Sequence, residues 1–254
     1  MIDVIKSLQL LDREMICFHE EYEPNRLNQT TLAIEREGLL RHPPLAMKLH
    51  DGRYVILDGA HRVHALQKLG CKRVVVQLVN PKNILLSAWD HIIPEGRWME
   101  QLYQNQEIRW EKKEKEETPL AVLHTNNGVS YLYLKERGAS LFTVLFIWHQ
   151  IVRAYKQAHE IIRIASGKEY ELKGMTRLCY PIYSLEELEQ IVLANKVMPA
   201  GVTRVTVDGR LLNLNIPLSF LRNSNLEQML WQNYLEKWSR SLRLYTESVY
   251  LCEV

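Results

Sequence analysis

One short stretch, residues 58–62 (Asp-Gly-Ala-His-Arg), constrains the fold of this chain more than any other. The apolar run before it, residues 54–57, predicts a buried strand. The apolar positions after it recur at helical spacing and predict a helix over residues 60–69. Gly70 predicts the end of that helix, because glycine adopts the left-handed conformation past a helix end at little cost. The chain must therefore turn from strand to helix around a single glycine, which is typical of α/β domains.

This turn predicts an anion-binding site. The first N–H groups of a helix have no intrahelical acceptor and carry partial positive charge, so the backbone at Gly59 and Ala60 can contact a phosphate. His61 and Arg62 add side-chain donors, and Asp58 places a carboxylate at the edge of the site. Short motifs also occur by chance. The spacing alone therefore leaves open a simple turn in which Arg62 makes a surface ion pair.

Composition limits the classes of function. The 254 residues are 46% apolar and 24% charged, which is ordinary for a globular protein with a substantial core. The net charge of +2 is too small to indicate a nucleic-acid or membrane surface. Four widely spaced cysteines argue against a zinc site or a disulfide framework, and no signal-peptide pattern is visible. We therefore expect a cytoplasmic protein without a membrane span.

The first 80 residues predict a compact α/β order. An acidic loop, with Glu20 and Glu21, follows the first predicted strand, and Asp51-Gly52 indicates a hairpin. Arg41 and His42 open a connector that two prolines make rigid. The predicted strands span residues 14–18, 45–49, 53–57 and 73–79, and the other predicted helix spans residues 26–37.

The rest of the chain predicts a mixture of helices and strands. We expect a short helix over residues 83–90, a long helix over 140–165 and a closing strand over 242–254. Two capping-box patterns, Ser184 with Glu187 and Ser224 with Glu227, predict helix starts. A hairpin is expected around residues 126–128, and a strand over 176–183.

The order strand, helix, hairpin, glycine turn, helix and strand resembles the ParB/sulfiredoxin-like fold, and residues 58–62 match its phosphate-binding motif. Sulfiredoxins carry a reactive cysteine where this chain has Ala60, which excludes sulfur chemistry at that position. ParB partition proteins carry a more arginine-rich motif and then a helix-turn-helix module, which is not predicted after residue 80.

The motif Asp-Gly-x-His-Arg with an acidic N-terminal loop is most similar to the free L-serine kinases of this superfamily. The serine kinases encoded with staphyloferrin B biosynthesis share three further segments with this chain. These are Arg-His-Pro at residues 41–43, Leu-Gly-Cys-Lys at 69–72 and Ala-Gly-Val-Thr-Arg at 200–204.

This resemblance implies a phosphoryl transfer from ATP, with ADP as the alternative donor, to the hydroxyl of free L-serine, giving O-phospho-L-serine for siderophore synthesis. It implies an α/β (α+β) fold with a ParB/sulfiredoxin-like nucleotide-binding domain over residues 1–82. A larger α+β domain over residues 83–254 would contribute the amino-acid site. The alternative is a ParB-like, nucleotide-dependent transcriptional regulator that binds DNA, although the low net charge gives it no support.

The implied mechanism assigns roles to the acids. Serine's hydroxyl is a poor nucleophile at neutral pH, so a carboxylate should take its proton. We expect Glu20 to be this base, with Glu21 as the second choice. The alternative is that Glu20 is only a solvated acid in a loop. Asp58 would contact a Mg²⁺ ion that bridges the phosphates, or orient the serine hydroxyl, and it could equally be a helix-capping acid.

The remaining roles concern binding. His61 and Arg62, with the helix start, would hold the phosphates, while Arg41 and His42 would line the nucleotide.

In the serine kinases a Thr-Arg segment holds the amino acid's carboxylate, which implies this role for Thr203 and Arg204. From that segment alone, a surface ion pair of Arg204 is favoured. Trp89 would wall the amino-acid pocket, or simply pack in the core.

Overall fold

The computed structural model describes residues 4–156, 161–223 and 228–245. They form two compact units. Unit 1 holds the described residues of Met1–Phe18, Tyr22–Ile84 and Val207–Val254, and unit 2 holds His19–Glu21 and Leu85–Thr206. The division after Ile84 falls close to the expected one after residue 82, but His19–Glu21 belongs to unit 2 although it was expected in the first domain. The chain from Val207 onward belongs to unit 1, however, whereas we expected it in the second domain.

The chain is mixed α/β, as expected. Its helices are α1 (Pro24–Glu37), α2 (Ala60–Lys68), α3 (Arg97–Gln104), α4 (Leu141–Lys156), α5 (Leu185–Leu193), α6 (Leu218–Arg222) and α7 (Gln228–Ser241). Its strands are β1 (Leu8–Asp12), β2 (Ile16–Phe18), β3 (Leu39–Leu40), β4 (Leu45–Lys48), β5 (Tyr54–Asp58), β6 (Arg73–Leu78), β7 (Ile84–Pro94), β8 (Ile108–Glu111), β9 (Ala121–Thr125), β10 (Gly128–Leu134), β11 (Ile162–Ala165), β12 (Met175–Cys179), β13 (Thr203–Val207) and β14 (Ile216–Pro217). No described helix has both the length and the apolar character needed to cross a membrane.

Unit 1 is built on a mixed sheet with the strand order β1-β6-β4-β5-β2. The antiparallel pairing of β4 with β5 confirms the hairpin predicted at Asp51-Gly52. β5 lies between β4 and β2, and it pairs antiparallel with β4 and parallel with β2. The strand that leads into the glycine turn therefore has a hydrogen-bonded neighbour on each side.

Helices α1 and α2 bury their apolar sides in the core of unit 1. Leu27 and Ile34 of α1 and Val63 and Leu66 of α2 belong to one buried cluster with Val75 of β6. Burying a side chain of this size stabilises a fold by about 1.5–3 kcal/mol. This packing holds the start of α2 rigidly against the sheet.

Unit 2 is built on a second sheet with the order β11-β7-β12-β9-β10-β8, and β13 also pairs with β7. The helix predicted over residues 83–90 is therefore wrong, because this segment begins the long strand β7. Strands β11 and β12 lie on either side of β7 and pair with its backbone. Such long-range pairing overrides the weak helical preference of a short apolar run.

Other predictions have mixed outcomes. Ser184 and Glu187 form the predicted capping box at the start of α5, with both reciprocal hydrogen bonds present. The hairpin predicted at residues 126–128 joins β9 to β10. The helix predicted over 140–165 ends at Lys156, and Ile162–Ala165 is a strand.

The capping box predicted at Ser224 and Glu227 lies outside the described residues, as does residue 246 onward of the predicted closing strand. Its described part, residues 242–245, is not in a strand.

Candidate functional site

The strand-to-helix turn of unit 1 has the predicted form. Gly59 has φ 90° and lies at the N-cap of α2, with no side-chain cap. This φ favours glycine, and a Cβ there would lie 2.8 Å from Nη2 of Arg62, so the end of the Arg62 side chain would have to move. The N–H of Val63 donates to the carbonyl of Gly59 and closes the first turn. The N–H groups that precede it have no acceptor within the helix and remain suited to an anion.

Two guanidinium groups converge on the carboxylate of Asp58. Nη2 of Arg62 donates to Oδ2 at 2.9 Å, and Nη2 of Arg210 donates to the same oxygen. Burial by itself would raise the pKa of Asp58, but the charges of Arg62 and Arg210 outweigh it and lower the pKa to about 2. The three side chains together carry one net positive charge beside the start of α2, which favours a phosphate.

The residue that sequence reasoning missed here is Arg210. The side chain of Gln77 in β6 is only 2% exposed, and it holds the backbone on both sides of Arg210 by two hydrogen bonds. Its Nε2 donates to the carbonyl of Gly209 at 2.9 Å, and its Oε1 accepts from the N–H of Leu211 at 2.8 Å. The Asp208-Gly209 dipeptide is typical of a turn, but no neighbouring residue links that turn to Asp58. The buried Nε of Arg210 has no hydrogen-bond partner among the described residues.

The other residues predicted to bind the nucleotide make local contacts in unit 1. Nε2 of His61 accepts from the N–H of Glu23 at 2.9 Å, which ties the acidic loop to α2. His42 is buried, and its Nδ1 accepts from the N–H of Asn213 at 2.9 Å. Its carbonyl accepts from Arg62 at 2.9 Å.

Arg41, in the same connector, donates to Oε1 of Glu37 at 2.6 Å. Direct contacts of Arg41, His42 and His61 with a nucleotide remain predictions.

Unit 2 brings the acidic segment to the loop before β13. The carbonyl of His19 accepts from the N–H of Met198 at 2.7 Å, and the N–H of Glu21 donates to the carbonyl of Met198 at 2.8 Å. Between these bonds, Oε2 of Glu20 accepts from the N–H of Gly201 at 3.1 Å. The candidate base is thus anchored two residues before Thr203.

The two candidate bases differ in their surroundings. Oε1 of Glu21 lies 3.4 Å from Nδ1 of His149 and 3.8 Å from Nη2 of Arg153. The carboxylate of Glu20 instead accepts from a backbone N–H and makes no ion pair among the described residues. The carboxylate of Glu21 thus lies against α4, whereas that of Glu20 lies against the segment that leads to Thr203.

Thr203 and Arg204 begin β13 and have different environments. The hydroxyl of Tyr183 bonds to Oγ1 of the buried Thr203. Burial, with the charges of Glu20 and Glu187, raises the pKa of Tyr183 well above its usual range, so its phenol stays protonated.

Arg204 stacks on Trp89, as Cζ lies 5.2 Å from the centre of the ring, and its Nη1 donates to Oγ1 of Thr206 at 2.9 Å. Arg204 and Trp89, which were each predicted to contact the amino acid, therefore lie together in the sheet of unit 2.

The surroundings of Asp58, the predicted metal ligand, do not favour a divalent ion. Within the described residues, no group of three His, Cys, Asp or Glu side chains could hold one. Oδ2 of Asp58, the predicted ligand, is already shared by the cations Arg62 and Arg210, which repel a divalent ion.

Comparisons with known proteins identify full-length relatives, although no protein-family model matches the chain. The chain is 36% identical over 256 residues to the ATP-dependent L-serine kinase SbnI of Staphylococcus aureus, covering 100% of both sequences. The solved structure of SbnI with a C-terminal truncation, from the same species, is similar with a TM-score of 0.85 and 32% identity. That match covers 95% of this chain and 99% of the other. A free serine kinase in complex with AMP has a TM-score of 0.66 at 16% identity over 85% of this chain and 93% of its own, which shows a shared fold.

Proposed function

The chain belongs to the family of ATP-dependent L-serine kinases, and from this premise we propose that it transfers a phosphoryl group from ATP to free L-serine, giving O-phospho-L-serine and ADP. The observation that carries the proposal is the contact of Glu20 with Gly201, across 181 positions of the chain. It brings a carboxylate to the segment that would bind serine. The transcriptional-regulator alternative is not favoured, because the full-length relative is a kinase.

We propose that unit 1 binds the phosphates of ATP. The start of α2 offers backbone N–H groups, while Arg62 and Arg210 offer guanidinium groups. Phosphoryl transfer depends mainly on positioning and on neutralising charge, and these donors supply both. Asp58 would orient the two arginines, because its carboxylate bonds to both, and would stay ionised at any pH near neutrality.

Glu20 would act as the general base. It would take the proton of the serine hydroxyl as that oxygen forms its bond to the γ-phosphorus. The bond between the γ-phosphorus and the bridging oxygen then breaks, and ADP leaves with the electron pair. The hydrogen bond from Gly201 engages one carboxylate oxygen, Oε2, and leaves Oε1 for the proton.

Arg204 and Thr203 would hold the amino acid. The planar guanidinium of Arg204 matches a carboxylate with two hydrogen bonds, and stacking on Trp89 fixes the plane of that group. Tyr183 fixes the hydroxyl of Thr203, which would then present its remaining bonding capacity to the substrate.

Mg²⁺ would enter with ATP rather than occupy a prepared protein site, in line with the surroundings of Asp58. When bound, such an ion neutralises charge on the phosphate oxygens and keeps most of its waters. For the physiological role we propose supply of a siderophore precursor in the cytoplasm, on the resemblance to the kinases encoded with staphyloferrin B biosynthesis.

A direct assay tests the proposal. The protein is incubated with ATP, Mg²⁺ and L-serine, and phosphorus NMR follows O-phosphoserine and ADP. Glu20→Gln keeps the shape of the side chain but removes the base, so kcat should fall by at least about 100-fold while ATP binding persists. Glu21→Gln is the matched control and should retain most of the rate. Failure of the wild type to form phosphoserine would refute the activity, and a fully active Glu20→Gln variant would refute the role of Glu20.

A further inference from the structure

A buried polar chain leads from the interior of unit 2 to Gly201. His91 of β7 is 0% exposed. Its Nε2 lies 2.7 Å from the carbonyl oxygen of Gly201, and its Nδ1 lies 2.7 Å from the hydroxyl of Tyr155. The hydroxyl of Tyr155 lies in turn 2.5 Å from that of Tyr180. Burying a polar group costs free energy unless it has a hydrogen-bond partner. The carbonyl of Gly201, the ring of His91 and the two tyrosine hydroxyls each bond to the next in this chain.

The carbonyl of Gly201 fixes the direction of these hydrogen bonds. A carbonyl can only accept, so Nε2 of His91 carries a proton and donates it to this bond. Burial raises the pKa of both tyrosines above the usual range, so each phenol keeps its proton. In the neutral imidazole the other ring nitrogen, Nδ1, is an acceptor, so Tyr155 donates to it and Tyr180 donates to Tyr155. Each proton is used once, and the histidine ring is held in one tautomer and one orientation.

Gly201 needs such an anchor because of its own geometry. Its φ is 75°, and a Cβ there would lie 2.7 Å from Cζ of Arg163. The positive φ favours glycine, the residue with the greatest backbone freedom, whereas a Cβ would displace the end of the Arg163 side chain. The hydrogen bond from His91 restrains the peptide plane between Gly201 and Val202. The N–H of Gly201 lies in the preceding plane and can then change direction only through the φ and ψ rotations of Gly201 itself.

That N–H is the group that donates to Oε2 of Glu20 at 3.1 Å. We propose that His91 is a positioning residue, which holds the backbone of Gly201 so that its N–H fixes the Glu20 carboxylate for proton transfer. This inference rests on the proposed role of Glu20. In this proposal the effect of His91 and of the two tyrosines on the rate passes through Gly201.

Substitutions of His91 separate positioning from packing. His91→Leu removes the donor, and a misplacement of the base by about 1 Å is expected to lower kcat by about 10–100-fold. The KM for ATP should change by less than about twofold, because the phosphate contacts belong to unit 1. His91→Gln carries an amide N–H near the position of Nε2 and should recover most of the lost rate.

Two further variants protect the test against misfolding. Tyr155→Phe keeps the ring but removes the donor to Nδ1, so kcat should fall by about 3–10-fold in a protein that still folds. Thr176→Val is the matched control. Thr176 is also 0% exposed and donates from Oγ1 to the carbonyl of Ile93 at 2.9 Å. Its loss should lower the thermal midpoint while leaving kcat unchanged.

A double-mutant cycle with Glu20→Gln decides the route of the effect. Residual phosphoserine formation is measured in long incubations of each variant of the full chain. If His91 acts through Glu20, His91→Leu lowers kcat in the wild-type background and causes no further loss in the Glu20→Gln background.

Four outcomes are informative. The pattern above, with rescue by His91→Gln, supports the inference. Equal losses of kcat from His91→Leu in both backgrounds overturn the inference and leave the proposed function standing. The same holds if the His91→Leu and Tyr155→Phe variants have the kcat of Thr176→Val while Glu20→Gln is inactive. A fully active Glu20→Gln variant overturns the role of the base, and with it the role of His91. A wild-type protein that forms no phosphoserine overturns both proposals.

Discussion

Arg210→Met tests whether a guanidinium found only in the structure helps to bind ATP. Methionine keeps much of the apolar stem but removes the charge and every donor. Arg210 bonds to Asp58 through Nη2, and its side chain is 27% exposed, so part of the side chain is accessible to a phosphate. Its segment stays anchored in the variant, because Gln77 holds Gly209 and Leu211 through their backbone groups.

The size of the effect follows from the contacts. A charge-assisted hydrogen bond contributes about 1.5–3 kcal/mol. The side chain of Arg210 is 27% exposed and that of Asp58 is 42% exposed, so solvent screening moves the value to the lower end, about 1.5 kcal/mol. That free energy corresponds to about tenfold weaker binding of ATP. The KM for serine should change by less than about twofold.

Isothermal titration of the wild type and the variant with ATP, in the presence of Mg²⁺, measures this difference. Arg222→Met is the matched control, because it removes the same charge from unit 1 while Arg222 bonds to the carbonyl of Leu69. Equal ATP affinity in Arg210→Met and wild type would refute the reasoning. An equal loss in the Arg222→Met variant would show that net charge, rather than the contact with the phosphates, controls affinity.

Three further predictions concern single positions. Arg204→Ala should raise the KM for serine at least about tenfold, because a contact of about 2 kcal/mol with the carboxylate is lost, and leave the KM for ATP nearly unchanged. Equal increases of the two KM values in steady-state kinetics would argue against a carboxylate contact. Gly59→Ala should lower the free energy of unfolding by about 1–2 kcal/mol in urea, because φ is 90° and Arg62 lies within contact of the new Cβ; an unchanged midpoint would contradict this. The pKa of Asp58 is lowered to about 2 from the ordinary 3.8. The wild type should therefore have a higher free energy of unfolding than Asp58→Asn above about pH 5, and this difference should disappear as the pH falls from 3.8 through about 2. A difference that does not vary with pH would exclude this coupling.

Much of the fold was predictable because its signals are local. The turn at Gly59, the hairpin at Asp51-Gly52 and the capping box of Ser184 with Glu187 all depend on residues within a few positions of each other. Backbone angles and nearby hydrogen bonds decide such features, and both can be read from neighbouring residues. Strand β7, predicted to be a helix over residues 83–90, shows the limit, since its partners come from distant parts of the chain.

The candidate site divides along the same line. The types of its residues, an acid at Glu20, an arginine at Arg204 and a glycine turn before α2, could be predicted from the sequence and from its resemblance to serine kinases. Which groups meet was decided by the tertiary structure. The bond from Arg210 to Asp58 spans 152 positions, and the contact of His91 with Gly201 spans 110. Such contacts depend on how whole strands and helices pack, because no short segment carries both partners. Only the folded chain therefore brings Arg210 to Asp58 and His91 to Gly201.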